Sequence, residues 1–174
     1  PVELQALWYN AVSYTLALAK KQGDTESAKE GKDMPAKTQA SFISKFWLEE
    51  EGYLADYVNA DETNKFIRPN MVMAAGLDYT MLDEEKRVRV LQTAKEHLLT
   101  PRGLRTLSPR NMLYKSNYNE DQRSQDLASR NGSAWVAPLV FYVKACFAIG
   151  GEKFVSDARN ILDGFDAELQ TKCV

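Results

Sequence analysis

Histidine and cysteine are almost missing from this chain: His97, Cys146 and Cys173 are all it has in 174 residues. A single histidine, with no second one and no clustered cysteines, offers a transition metal no ligand set, so neither a metal nor a cofactor is expected. Two cysteines, one inside the apolar run VFYVKACFAIGG and one next to the last residue, do not form a disulfide framework. Cys146 reads as a small core residue and a reducing cytoplasm as the expected compartment. No stretch approaches the roughly 18 apolar residues that mark a membrane span. No basic segment followed by an apolar one opens the chain, so no secretory signal is expected. Charge of one sign is lacking too: 22 Lys and Arg are mixed among 24 Asp and Glu, for a net charge of −2. That balance argues against nucleic acid or an anionic membrane as a partner, since either needs a basic stripe. No glycine-rich phosphate loop occurs.

What the chain does have is helical periodicity. Leu4, Leu7, Trp8, Ala11, Val12, Thr15, Leu16 and Ala19 recur at spacings of three and four and predict a first helix over residues 2–21. Lysines and then a glycine in KKQGD stop it. After a polar connection, KEGKDMPAK, a second helix is expected from Pro35 to about Glu50, with Phe42, Phe46 and Trp47 inward. Residues 51–68 lose the period and read as a short extended piece with a turn at VNADETNK. Pro69 opens a third helix, PNMVMAAGLDYTML, apolar nearly all round and holding Met71, Met73 and Met81 as core filler. A fourth, LDEEKRVRVLQTAKEHLL, is charged and carries acids near its positive end. Residues 99–130 show no clear period. A fifth helix, GSAWVAPLVFYVKACFAIG, is again apolar all round, and a sixth, GEKFVSDARNILDGFDAELQ, is amphipathic.

Helices apolar on every side belong inside, and their amphipathic partners face solvent. The fold class expected is therefore all-α, with antiparallel helical hairpins forming an α/α toroid or half of one. PVELQ, IRPN and SRNGSAW open the first, third and fifth helices, so their free N–H groups and positive dipole ends converge on one rim. A loop as long as 99–130 is uncommon in a compact domain unless it serves a function, and it reads as a wall over that rim.

PVELQALWYNAV, the pair YLADYV and IRPN, GLRTLSPRNMLYKSNY, and SRNGSAW before an apolar helix closely resemble the C-terminal part of glycogen debranching enzymes. The likeness is to the prokaryotic amylo-α-1,6-glucosidase domain and runs in the same order along nearly the whole chain. It implies an (α/α)6 barrel, of which residues 1–174 would be a single partial domain, the C-terminal half. It also implies hydrolysis of α-1,6-glucosidic branch stubs, with glycogen or limit dextrin as the glucan partner and the rest of the barrel supplied by upstream chain. Two departures stand out. The family's general-acid aspartate falls before the motif that begins here at Pro1, and the familiar His-Gln/Asn-Gly reads Arg130-Asn131-Gly132, with Ala134 where eukaryotic members have a glutamate.

An inverting glycosidase sets a protonated acid and a water-activating carboxylate roughly 6.5–9.5 Å apart across the sugar. Given the resemblance, the candidate bases are Asp126, Glu120 and Asp121, only one of which is expected to act, although each also fits an ordinary solvated loop acid. Glu3 is either a first-turn acid favoured by the helix dipole or an acceptor for a sugar hydroxyl. Trp8 and Trp135 can stack on glucose or fill core. Arg68, Arg105 and Arg130 can fork onto hydroxyls or carboxylates. Asn70 and Asn131 can bind sugar or cap helices. Leu104, Leu107, Tyr114 and Tyr118 are expected to anchor the loop, leaving a loop acid and Glu3 facing one concave surface. The rival reading is a non-catalytic helical module that binds glycan or a partner protein, which needs aromatics and amides but no opposed acids. Another (α/α)6 glycosidase, trehalase-like or glucoamylase-like, is a third, and the debranching words argue against it. Half a toroid would leave apolar faces open, so self-association is expected.

Overall fold

The structure, a computed structural model, describes residues 1–118 and 121–171. In chain order its elements are α1 (Val2–Gln22), α2 (Thr25–Glu30), α3 (Met34–Phe46), β1 (Trp47–Leu48), β2 (Tyr53–Leu54), β3 (Tyr57–Val58) and β4 (Thr63–Asn64). There follow α4 (Met71–Gly76), α5 (Glu84–His97), β5 (Leu99–Thr100), β6 (Gly103–Arg105), α6 (Gln122–Asn131), β7 (Ala134–Trp135), α7 (Ala137–Ile149) and α8 (Glu152–Thr171). Helices dominate. The strands are two or three residues long and pair antiparallel as β1–β2, β3–β4 and β5–β6–β7.

The helix ends follow local chemistry. α1 stops at Gly23, whose φ of 74° lets its N–H reach back to the Ala19 and Lys20 carbonyls. Asp24 and Asp83 cap α2 and α5 by accepting from Ser27 N–H and Lys86 N–H. Proline stands in the first turn of both α3 and α7. The core is centred on α4 and α7: Met71, Val72, Ala74, Ala75 and Gly76 are buried on one, and Leu139, Tyr142, Ala145 and Cys146 on the other. Phe42 and Phe46 of α3 stack with ring centroids 5.1 Å apart, and Val90, Leu91 and Ala94 of α5 close the other side.

Residues 99–130, expected to lack regular structure, hold β5, β6 and most of the helix α6, which Asp121 caps. Three further expectations needed tertiary contacts to correct them. The third helix covers only Met71–Gly76, because the chain turns extended at Leu77 and Asn10 of α1 captures the Tyr79 N–H through its side-chain oxygen. The second helix ends at Phe46, where Trp47 and Leu48 pair with Leu54 and Tyr53. The fifth begins at Ala137, since Ala134 and Trp135 are drawn into pairing with Arg105 and Leu104. The first helix forms as expected, but its apolar face stands open: Leu4, Leu7, Trp8 and Leu18 are exposed, and only Val2, Ala6 and Ala19 are buried. Only α2 and the start of α3 border it, near Leu16.

Candidate functional site: a polar rim tied by Arg68

The stretch FIRPN runs extended into Pro69 and delivers Arg68 to the start of α4. From there one guanidinium reaches several chain segments. Nη1 donates to the carbonyl of Thr106 at 2.9 Å and to that of Arg130 at 2.6 Å, and Nη2 donates to Asn131 Oδ1 at 2.8 Å. Nε faces Asp56 Oδ2 at 3.5 Å, and Asn70 Nδ2 donates to Asp56 Oδ1 at 3.1 Å. A planar fork with five fixed donors suits this task in a way that a lysine would not. Asn70 sits at the N-cap position of α4 but makes no capping bond. Its amide serves Asp56 instead.

The loop after β6 is built onto the same knot. Thr106 N–H donates to the Ser133 carbonyl, Thr106 Oγ1 accepts from Gly132 N–H, Ser108 N–H donates to the Ile67 carbonyl, and Lys115 N–H donates to the Asn131 carbonyl. Leu104 and Leu107 are fully buried and Tyr114 is half-buried, as expected of anchors, whereas Tyr118 is exposed and does not anchor the loop. Gly132 is required by space: a Cβ there would run into the Lys115 carbonyl.

Between these segments lies a cleft of about 430 Å³, lined by Arg68, Asn70, Thr106, Ser129, Arg130 and Trp135 among others. Trp135 offers an exposed ring, and among the described residues the Arg130 side chain has no hydrogen-bond or ion-pair partner. Behind the cleft, Val2 N–H donates to the Asp56 carbonyl at 2.8 Å, which brings the first turn of α1 to the rim. Glu3 stands in that turn with Oε2 buried and unpartnered. Burial pushes the Asp56 carboxyl up from its ordinary 3.8; Arg68 and the Asn70 hydrogen bond oppose this, and the nearby charge of Glu3 adds to it.

Five of the residues singled out in the sequence, Arg68, Asn70, Arg130, Asn131 and Trp135, meet at this cleft or at its tie, with Glu3 at the adjoining helix start. Trp8 does not join them. It is exposed on α1 and borders a separate cavity of about 530 Å³ with Leu16 and Met34. Asp121 caps α6 by accepting from Ser124 N–H, and Asp126 is exposed on α6 and takes the Gln122 amide. Neither lines the cleft. Arg105 donates to the Leu99 carbonyl at 3.4 Å, and Glu120 lies outside the described residues. The residue that sequence reasoning missed is Asp56; its only signal was an acid inside YLADYV, a segment already singled out.

Two arginines, an amide and an indole face line the cleft, with the Asp56 and Glu3 carboxylates set behind it, and donors beside an aromatic face suit a polyhydroxylated ligand. Among the described residues no group of three or more His, Cys, Asp or Glu is placed to hold a metal ion, and no helix is long and apolar enough to cross a membrane.

Known proteins agree with the chemistry. The chain is 31% identical over 110 residues to the periplasmic trehalase of Salmonella schwarzengrund, and 30% identical over 111 residues to that of Citrobacter koseri. Each match takes in 62% of this chain and 19% of the trehalase, so the chain spans about a fifth of the length of the curated relatives it matches. Helical hairpins of the α/α-toroid type bearing this rim make it a glycoside-hydrolase-type domain. The family model described as amylo-alpha-1,6-glucosidase matches residues 1–174, and the chain belongs to that family.

Proposed function

We propose that this chain forms the sugar-facing rim of a cytoplasmic debranching glucosidase, which hydrolyses α-1,6-glucosidic branch stubs of glycogen-type glucans. The observation that carries the reading is the Arg68 knot, which gathers Asn70, Thr106, Arg130 and Trp135 around one cleft in a chain of the amylo-alpha-1,6-glucosidase family. The mechanism in this reading is inversion by two carboxylates, with water activated on the face opposite the leaving oxygen. Upstream chain supplies the general acid and completes the barrel. In this chain, Trp135 and Arg130 grip the glucose ring and its hydroxyls, Arg68 and Asn70 hold the wall, and Glu3 accepts a hydroxyl. The candidate bases are Asp126, Glu120 and Asp121, of which the two aspartates stand on α6 outside the cleft.

The test is hydrolysis by the full-length parent of limit dextrin carrying single α-1,6 glucose stubs, followed by proton NMR. Glucose should appear first as the β anomer. The isolated 174-residue chain should show negligible turnover, since general acid catalysis alone contributes about 10²–10⁴-fold. A second reading, cleavage of trehalose, is favoured by the trehalase relatives. Turnover of trehalose with none of the stub would replace the first reading with it. Glucan binding without any cleavage by the parent would favour the non-catalytic module.

A further inference from the structure

We infer that Asp56 is a positioning residue of this rim, setting the Arg68 guanidinium and the Asn70 amide in the directions that hold the cleft wall. The inference rests on the sugar-cleaving reading for its effect on rate, and on the geometry alone for its effect on the wall. The Asp56 and Arg68 side chains are 14% and 20% exposed, so both are charges largely withdrawn from water. The two carboxylate oxygens have separate tasks: Oδ1 takes the Asn70 amide and Oδ2 faces Arg68 Nε. A guanidinium is rigid and planar, so fixing its Nε edge fixes where the two Nη groups point. They point at the Thr106 and Arg130 carbonyls and at Asn131 Oδ1.

The backbone of Asp56 is tied as firmly. Its carbonyl accepts from Val2 N–H at 2.8 Å, and its N–H donates to the Asn64 carbonyl at 2.9 Å. One residue thus joins the start of α1, the β3–β4 hairpin, the approach to α4 and, through Arg68, the end of α6. Asp56 itself does not line the cleft, whereas Arg68 and Asn70 do. It acts through them, not on the sugar.

A partly buried ion pair can also do nothing more than stabilise a fold, and the experiment separates the two. In the full-length parent, Asp56→Asn keeps the side chain's shape and removes its charge. Asp56→Glu keeps the charge and displaces it by one methylene. Backbone amide exchange should rise at least tenfold at Thr106, Ser108, Gly132 and Ser133 in Asp56→Asn, with the α5 amides unchanged. On the α-1,6 stub, both variants should lose at least tenfold in kcat/KM, and the double variant Asp56→Asn with Asn70→Ala should lose little more than the worse single one. Unchanged exchange at the wall, or a rise spread equally over α5, would overturn the inference whatever the substrate. Wild-type kcat/KM in either variant of a parent that does cleave the stub would overturn it while leaving the proposed function intact. A parent that cleaves no stub would instead remove the proposed function and leave the exchange result to decide. If Asp56→Asn does not accumulate as folded protein, Asp56→Glu carries both measurements.

Discussion

Gly76 presses its α-carbon against the backbone of Phe141, so closely that a Cβ would overlap the Phe141 carbonyl. The contact joins α4 to α7, the two helices at the centre of the core, and the opposing atom is main chain that no side-chain rotation can move aside. Gly76→Ala should therefore destabilise the protein despite alanine's better helix propensity. A loss of about 1–3 kcal/mol is expected, the usual cost of overpacking, as a lower urea midpoint at unchanged slope. Equal or greater stability would mean that α7 can shift without cost.

The three candidate bases can be told apart by combining stability with rate. Asp121 caps α6, and Asn is as good a cap as Asp. Asp121→Asn should leave stability nearly unchanged, whereas Asp121→Ala should cost about 1 kcal/mol. In the parent enzyme, the Asn or Gln variant of the true base among Asp126, Glu120 and Asp121 should lose kcat heavily and keep glucan binding. Near-normal kcat in all three would move the base elsewhere and leave the loop as pocket wall.

Acid titration should expose opposite signs at two carboxylates. The hydrogen bonds from Lys86 hold Asp83 below its ordinary 3.8, so its contribution is present above that value and is lost as pH falls through the lowered pKa. Burial holds Asp56 above the same value. Its folded form binds the proton more tightly than its unfolded form, so stability declines as pH rises from about 3.8 through the raised pKa. Asp56→Asn removes that decline. The stability lost on making the variant should be larger at about pH 3.5 than at about pH 7, as read by urea unfolding at both. A constant difference would count against a raised Asp56.

The open side of α1 should make the isolated chain sticky. Leu4, Leu7, Trp8 and Leu18 lie bare on that helix, and Val136, Val140, Leu162 and Leu169 border an apolar cavity of about 350 Å³ on α7 and α8. Apolar patches beyond a few hundred Å² are unusual on monomers. Light scattering at tens of micromolar should report a dimer or larger species, and substituting Leu4 and Leu7 by Gln should shift it toward monomer. A clean monomer of the unaltered chain would contradict this.

The longer apolar helices were legible because their signals are local, whereas the polar α2 and α6 carry no apolar period and were not read. A 3.6-residue period, Asp83 before an acidic first turn, and Pro35 in a first turn all act within a few residues of where they stand. The rim was legible in part, since Arg68, Asn70, Arg130, Asn131 and Trp135 share motifs at helix starts. What escaped was decided by distant chain. The shortness of α4 depends on Asn10, from α1. The strand at Trp135 depends on Leu104. Asp56 becomes meaningful only once Arg68 and Asn70 are folded onto it, and the open face of α1 follows no pattern in its own letters.

The bond that Arg68 sends to Arg130 ends on a carbonyl oxygen, and every amino acid brings one. The tie is therefore blind to the letter written at position 130, while the side chain there lines the cleft with no partner among the described residues. Thr106 is less free, because its hydroxyl takes the Gly132 N–H. Position 130 can be rewritten without loosening the wall, so a single substitution can alter what the rim presents to a ligand while its architecture persists. An arrangement of this kind lets substrate preference drift independently of foldability, and it marks residue 130 as the place to begin a selection for altered glycan choice.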